Sequence, residues 1–311
     1  MSDLLYSSFD LIVILGPTAS GKTKLAVELA DNLSGEIISA DSRQVYKGMD
    51  IGTGKDIHEY TLADNKINYH LIDILNPMEE YNVSKFQKDF NKAILKIKDR
   101  KKIPILCGGT GLYIKAILLD YNIPQVEPNI KLRKNLENFT TKELIDKLNK
   151  ISLPESIKTP LDTRRRIIRA IEVAMTKEKK INWNYKKSVI KHPLIFGIYY
   201  TRKIIRDRIT KRLMERLNNG MIEEVKSLIN SGITHDRLDS FGLEYRFVNQ
   251  FILGKTSKDE MITKLNVAIH QYAKKQMTFF RNMEKNGIKI NWIKEGDLDN
   301  ILNIINSKTN T

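Results

Sequence analysis

A chain of 311 residues, 41% hydrophobic and 29% charged, can bury a sizeable core, which excludes a disordered or fibrous protein and leaves room for one α/β core with one appendage. The early apolar run LIVIL is far too short to span a bilayer, MSDLLYSSFD lacks the basic start of a signal peptide, and a lone Cys107 excludes an internal disulfide. A cytoplasmic monomer with no membrane partner is the expectation. The 52 Lys and Arg against 37 Asp and Glu give a net charge of +15, and residues 164–216 hold 17 basic against 4 acidic side chains, an excess that favours RNA or DNA.

In chain order, FDLIVILG (9–16) predicts a strand that runs through a Gly-rich loop into a helix with Leu25, Leu29 and Leu33 on one face. EIISADS (36–42) and NYHLIDIL (68–75) predict two further strands. Ser84 is placed to cap a helix carrying Phe86, Phe90, Ala93, Ile94 and Ile97, which closes at DRKK before Pro104. IPILCGGTGLYIKAILL then reads as buried strand, turn and helix. This alternation predicts a doubly wound parallel sheet of the P-loop NTPase-like α/β class.

The Pro-containing connector YNIPQVEPN opens a helical insertion, with helices near 129–138 and 141–150, a Thr140–Glu143 capping box, and a third helix in DTRRRIIRAIEVAM. The boundaries are drawn at 1–121 and 192–311 for a discontinuous core and 122–191 for the insertion. HPLIFGIYY returns to the sheet, helices follow with Gly220 as the residue beyond one C-terminus, KINWI is a last strand, and the Asn, Lys and Thr-rich tail is expected to fray.

Gly16, Pro17, Thr18, Ala19, Ser20, Gly21, Lys22 and Thr23 form G-x-x-x-x-G-K-T between a strand and a helix, the context the motif requires. Such a loop turns backbone N–H groups toward phosphate, with Lys22 as a point charge and Thr23 as a Mg²⁺ ligand. NTPases add an Asp at the end of a neighbouring apolar strand, but here that strand ends in Gly108, Gly109 and Thr110. Asp73 is either a substitute or a buried turn carboxylate. Asp41 falls at a strand end beside the loop, as a turn residue or a member of the site.

GPTASGKT, ADSRQVYKGMDIGTGK and GGTGLY, followed by RRIIRAIEV, RDRITKRLMERLNNGMIEEV and AKKQMTFFR, resemble the tRNA dimethylallyltransferase (isopentenyltransferase) family over nearly the whole chain. The resemblance implies transfer of a dimethylallyl group from dimethylallyl diphosphate to N6 of adenine 37 in a tRNA anticodon stem-loop. It implies that the P-loop holds the diphosphate, that Asp41 is the general base, and that Thr110 lies close to the target base. Asp41, Ser42, Arg43 and Gln44, with Arg133, the stretch Arg165, Arg166, Ile167, Ile168 and Arg169, and Lys275, Gln276, Thr278 and Arg281, match tRNA-contacting positions. Arg208 and Arg212, four apart on one helix face, match diphosphate ligands, with Arg212 at the leaving group.

The chain departs from the family pattern in three places: Arg165 replaces Gln, Gly54 stands where Ala is common, and FGLEYR replaces a shorter GYR or GYK turn. His58, His70, His192, His235 and His270 show no metal-ligand spacing, and Cys107 reads as a core hydrophobe. Trp183 and Tyr185 could stack on nucleotides or pack the insertion.

Overall fold

The computed structural model describes residues 9–63, 65–119, 126–151, 161–176 and 190–309. The polar loop with Trp183 and Tyr185, and most of the Pro-containing connector, lie outside these residues. The chain divides into two units, Met1–Leu119 with Ile190–Thr311, and Asp120–Val189.

In the first unit, β1 (Leu11–Leu15), β2 (Gly35–Ser39) and β6 (Ile103–Gly108) are buried at every position. The apolar runs of β1 and β6 suit a sheet covered on both faces. With β5 (Tyr69–His70), β7 (Pro193–Tyr199) and β8 (Asn291–Lys294) they form a six-stranded sheet ordered β5-β2-β6-β1-β7-β8, every pairing parallel. Helix α1 (Lys22–Leu33) lays Leu25, Leu29 and Leu33 onto a core with Ile12, Ile37 and Ile105. Helix α2 (Val83–Asp99) and α3 (Gly111–Leu118) pack on each other through Phe86 stacked on Tyr113, centroids 4.3 Å apart.

Several expectations are corrected. The strand foreseen over 68–75 stops at His70 because Leu71 and Asp73 take left-handed φ of 63° and 54°, which turns the chain out of the sheet. Asn82 caps α2 by accepting from Lys85 N–H, so Ser84 lies inside the first turn. A 3-10 turn at Ile57–Tyr60 and a short β3–β4 hairpin (Thr61–Leu62 and Asn65–Lys66) fill a stretch for which the sequence predicts no element. The tail does not fray as far as it is described: Leu298–Thr309 is a helix with Ile301 and Ile305, one turn apart, buried in the sheet core. That apolar pair outweighs the polar composition around it. No helix among the described residues is long and apolar enough to cross a membrane.

The second unit holds α4 (Ile130–Leu136), α5 (Thr141–Asn149) and α6 (Arg164–Ala174) around Leu136, Leu144, Leu148, Ile167, Ala170 and Ile171. The Thr140–Glu143 capping box is present. Glu172 is buried at 2% exposure and accepts from Asn129 N–H at 2.6 Å, from Arg133 at 3.0 and 2.8 Å, and from Arg169. Burial raises its carboxyl, but the bonds from Arg133 and Arg169 outweigh this and hold it below the ordinary value. A depressed carboxyl stabilises the fold fully above its unfolded value and loses that contribution as pH falls through the folded one. Glu172→Gln should therefore cost about 1–3 kcal/mol at neutral pH, and the deficit should shrink in acid when the unit's denaturant midpoint is followed against pH.

Candidate active site

The P-loop follows β1 because Leu15 ends the strand and the chain curls through Ala19 (φ 62°) and Gly21 (φ 76°) before Lys22 opens α1. The Lys22 ammonium folds back to donate to Pro17 C=O at 3.5 Å. Burial pushes it below its ordinary value, and Arg212 and Arg216 nearby add to the effect. Gln276 clamps the loop from behind: its Oε1 accepts from Thr18 N–H at 2.8 Å and its Nε2 donates to Gly109 C=O at 2.9 Å. It is 7% exposed with both amide ends engaged inside the protein, so it positions the P-loop and does not present itself to RNA as the resemblance implied.

Beyond β2 the chain passes against the end of β6 so closely that a Cβ on Gly108 would lie 2.3 Å from Ala40 C=O. Only glycine permits that approach, which is a structural reason for the CGGT ending in place of an acid. Asp41 Oδ1 accepts from Arg43 N–H at 2.8 Å and Gln44 N–H at 3.4 Å, a turn-forming role. Oδ2 has no partner among the described residues, and Asp41 lines the cavity described below. Thr110 accepts from Ser42 N–H at 3.1 Å and donates its own N–H to Ala40 C=O at 3.2 Å. It braces the Asp41 turn and does not itself line the cavity.

The following loop is fixed by groups that sequence reasoning missed. Glu224 accepts from the N–H groups of Asp50, Ile51 and Gly52 at 2.8, 2.7 and 3.0 Å and from Tyr245 Oη–H at 2.7 Å. Gln44 Nε2 donates to Gly54 C=O at 2.9 Å and its Oε1 accepts from Ser39, so this side chain is also engaged internally. Lys55, 1% exposed, donates to Tyr46 C=O at 2.7 Å and pairs with Asp50 and Asp73. Asp73 is therefore the counter-ion of a buried lysine and does not line the cavity, which leaves the turn-carboxylate reading and removes the substitute acid.

Helix α7 (Arg202–Asn218) forms the opposite wall. Arg208 Nε donates to Ala19 C=O at 2.8 Å, and Arg212 donates to Thr18 Oγ1. Burial brings the Arg212 guanidinium down to about 10, still charged at neutral pH. The space enclosed is a 640 Å³ cavity into which Lys22, Thr23, Asp41, Arg208 and Arg212 all face. Five site residues foreseen from scattered motifs thus meet in one place. Arg216, Asp56, Glu59, Glu244 and Tyr272 line it too and were not foreseen. Arg216 had a signal, standing one more helical turn beyond Arg212; Asp56 and Glu59 had none.

The expected RNA contacts divide by burial. Lys275, Thr278, Arg281, Arg165 and Arg166 are exposed. Ile167 is 1% exposed and turned into the helical core, and Ile168 is partly buried against that core. Arg133 and Arg169 are bound to Glu172.

The model of the family described as IPP transferase matches residues 44–283. A protein named tRNA dimethylallyltransferase 2 from Shewanella sediminis is 48% identical over 293 residues, 94% of this chain and 95% of its own. Another, tRNA dimethylallyltransferase 1 from Geotalea uraniireducens, is 48% identical over 94% of each chain. Among solved structures, the tRNA isopentenylpyrophosphate transferase of Bacillus halodurans superposes with TM-score 0.69 at 32% identity over 96% of both chains. A eukaryotic dimethylallyltransferase described as acting on tRNA gives 0.70 at 25% identity over 93% of this chain and 74% of its own. The chain belongs to the IPP transferase family, that of the tRNA dimethylallyltransferases.

Proposed function

We propose that this protein transfers a dimethylallyl group from dimethylallyl diphosphate to N6 of adenine 37 in the anticodon loop of tRNA, releasing diphosphate. The observation that carries the reading is the meeting of Lys22, Arg212 and Asp41 in one cavity: cations for a leaving diphosphate opposite a carboxylate able to take a proton. The exocyclic N6 is a weak nucleophile because its lone pair is delocalised into the ring. P-loop N–H groups, Lys22, Arg208 and Arg212 offset charge as the allylic C–O bond breaks, and Asp41 Oδ2 accepts the N6 proton as the new C–N bond forms. Thr110 acts one step back, by holding the turn that presents Asp41.

The Thr23 hydroxyl, which lines the cavity at the P-loop, is an oxygen donor that suits a hard cation such as Mg²⁺. No three His, Cys, Asp or Glu among the described residues cluster closely enough to hold a metal alone. Such an ion would be held through Thr23 and would supply charge neutralisation at the diphosphate.

The adenine must leave its stack to reach the cavity, a step suited to an unpaired loop. Exposed Arg165, Arg166, Lys275 and Arg281, with Ser42 and Arg43 at the cavity, are the tRNA-contacting set. The protein acts as a cytoplasmic monomer.

Labelled dimethylallyl diphosphate offered with tRNA and with AMP tests the reading: label on tRNA alone is expected, and ATP hydrolysis or phosphate transfer without prenylated product would sink it. Neutralising Arg165 and Arg166 together should weaken tRNA binding uniformly and flatten its salt dependence, by about one unit of slope for each phosphate no longer neutralised. Diphosphate affinity should stay unchanged, and its loss in this double variant would show that the two arginines serve a different site.

A further inference from the structure

Arg208, Arg212 and Arg216 recur at every fourth position of α7, so they descend one face of the helix. Their burial deepens along the row, from exposed Arg208 through half-buried Arg212 to Arg216 at 9% exposure. The first two are tied to the P-loop. Arg216 makes no hydrogen bond among the described residues, and its one ion pair, to Asp56 Oδ2, is long at 3.8 Å. A guanidinium carries five donors in a planar fork, and burying them unmatched is costly. The side-chain polar atoms that are fully buried without partners are Ser20 Oγ and Thr256 Oγ1 among the described residues, so the donors of Arg216 are open to the cavity it lines.

Gly54 makes room for this arginine. A Cβ at residue 54, where φ is +62°, would lie 1.6 Å from Arg216 Nη2 and 2.5 Å from Cζ. The Gly54 carbonyl is held by Gln44, so the backbone is not free to withdraw. Two departures from the family pattern therefore meet at one side chain: Gly54 in place of Ala, and FGLEYR, whose Glu244 lines the same cavity. Burial raises the Glu244 carboxyl, and the largest opposing influence is the charge of Arg216. After burial, Arg216 is also the strongest influence lowering Arg212. An ammonium and two guanidinium groups that line one cavity, with the two arginines influencing the Lys22 charge, suit a multiply charged anion.

We propose that Arg216 is a third diphosphate-binding arginine of this chain, and that Gly54 is the residue that admits it. Glu244 and Asp56 offset part of its charge. The assignment rests on the reading that the P-loop holds a diphosphate.

The test is calorimetric titration of inorganic diphosphate into the whole chain, with thermal melts alongside, for the native protein, Arg216→Met, Arg216→Lys and Gly54→Ala. Arg216→Met and Gly54→Ala should each weaken binding about 10- to 100-fold, the range for a lost charge-assisted hydrogen bond. Arg216→Lys should lose less, and the double variant Gly54→Ala with Arg216→Met should be no weaker than either single change. Gly54→Ala keeps the arginine, so it reports independently should Arg216→Met unfold. Unchanged diphosphate affinity in a folded Arg216→Met with only a lowered melting temperature would overturn the proposal and make Arg216 a brace for the loop. No turnover is needed for this readout: a protein that binds diphosphate through Arg216 yet prenylates no tRNA would refute the proposed reaction and leave the binding assignment intact.

Discussion

Asp41→Asn is expected to slow single-turnover prenyl transfer by about 10² to 10⁴ while leaving the binding of tRNA and diphosphate nearly unchanged. The geometry makes this substitution unusually clean. Oδ1 is the atom that accepts from Arg43 and Gln44 N–H, and asparagine keeps an oxygen there, so the turn survives. The change falls on the other atom, Oδ2, which becomes an NH₂ group unable to accept a proton. If Asp41 served only the turn, its loss even to alanine would cost about 1 kcal/mol of stability and spare the rate of the folded enzyme. A near-normal rate for Asp41→Asn at saturating substrates would reduce Asp41 to that structural role and send the search for a base to other carboxylates of the cavity.

Arg212→Ala should lower the chemical step by about 10² to 10³, the usual cost of deleting one preorganised donor aimed at developing charge. The side chain is fixed before substrate arrives by its bond to Thr18 and stays charged despite burial. Arg212→Lys should recover only part of the rate, since an ammonium cannot bond Thr18 and a phosphate oxygen through one planar fork. Rapid-quench measurement at saturating tRNA separates this effect from weakened binding. A rate equal to that of the native protein would remove Arg212 from the leaving-group site and leave Arg208 as the arginine that serves it.

The P-loop, the parallel sheet and the helical insertion were legible in the sequence because each rests on local order: a strand with an apolar run, a glycine-rich turn, apolar residues spaced at helical intervals. Strand β1 and the loop after it, the Thr140–Glu143 box and Gly220, with φ 96° beyond the end of α7, are examples. Family resemblance implied roles for Asp41 and for the arginines of α7, whose types alone left a turn residue and a solvated basic face open. Interactions made across long stretches of chain had no such signal. Gln276 reads as one more polar residue on a long helix, and only the fold brings its amide to Thr18, 258 positions away. Arg133 and Arg169 read from sequence as RNA ligands, and only the packing of α4 and α6, which buries Glu172, reveals the carboxylate they pair with. Gly54 and Glu244 read as unrelated departures from a pattern until α7 sets Arg216 between them. Sequence spacing determines which face of a helix or strand a side chain takes; which partner waits there depends on tertiary packing, because burial converts a surface charge into one that must find its counterpart.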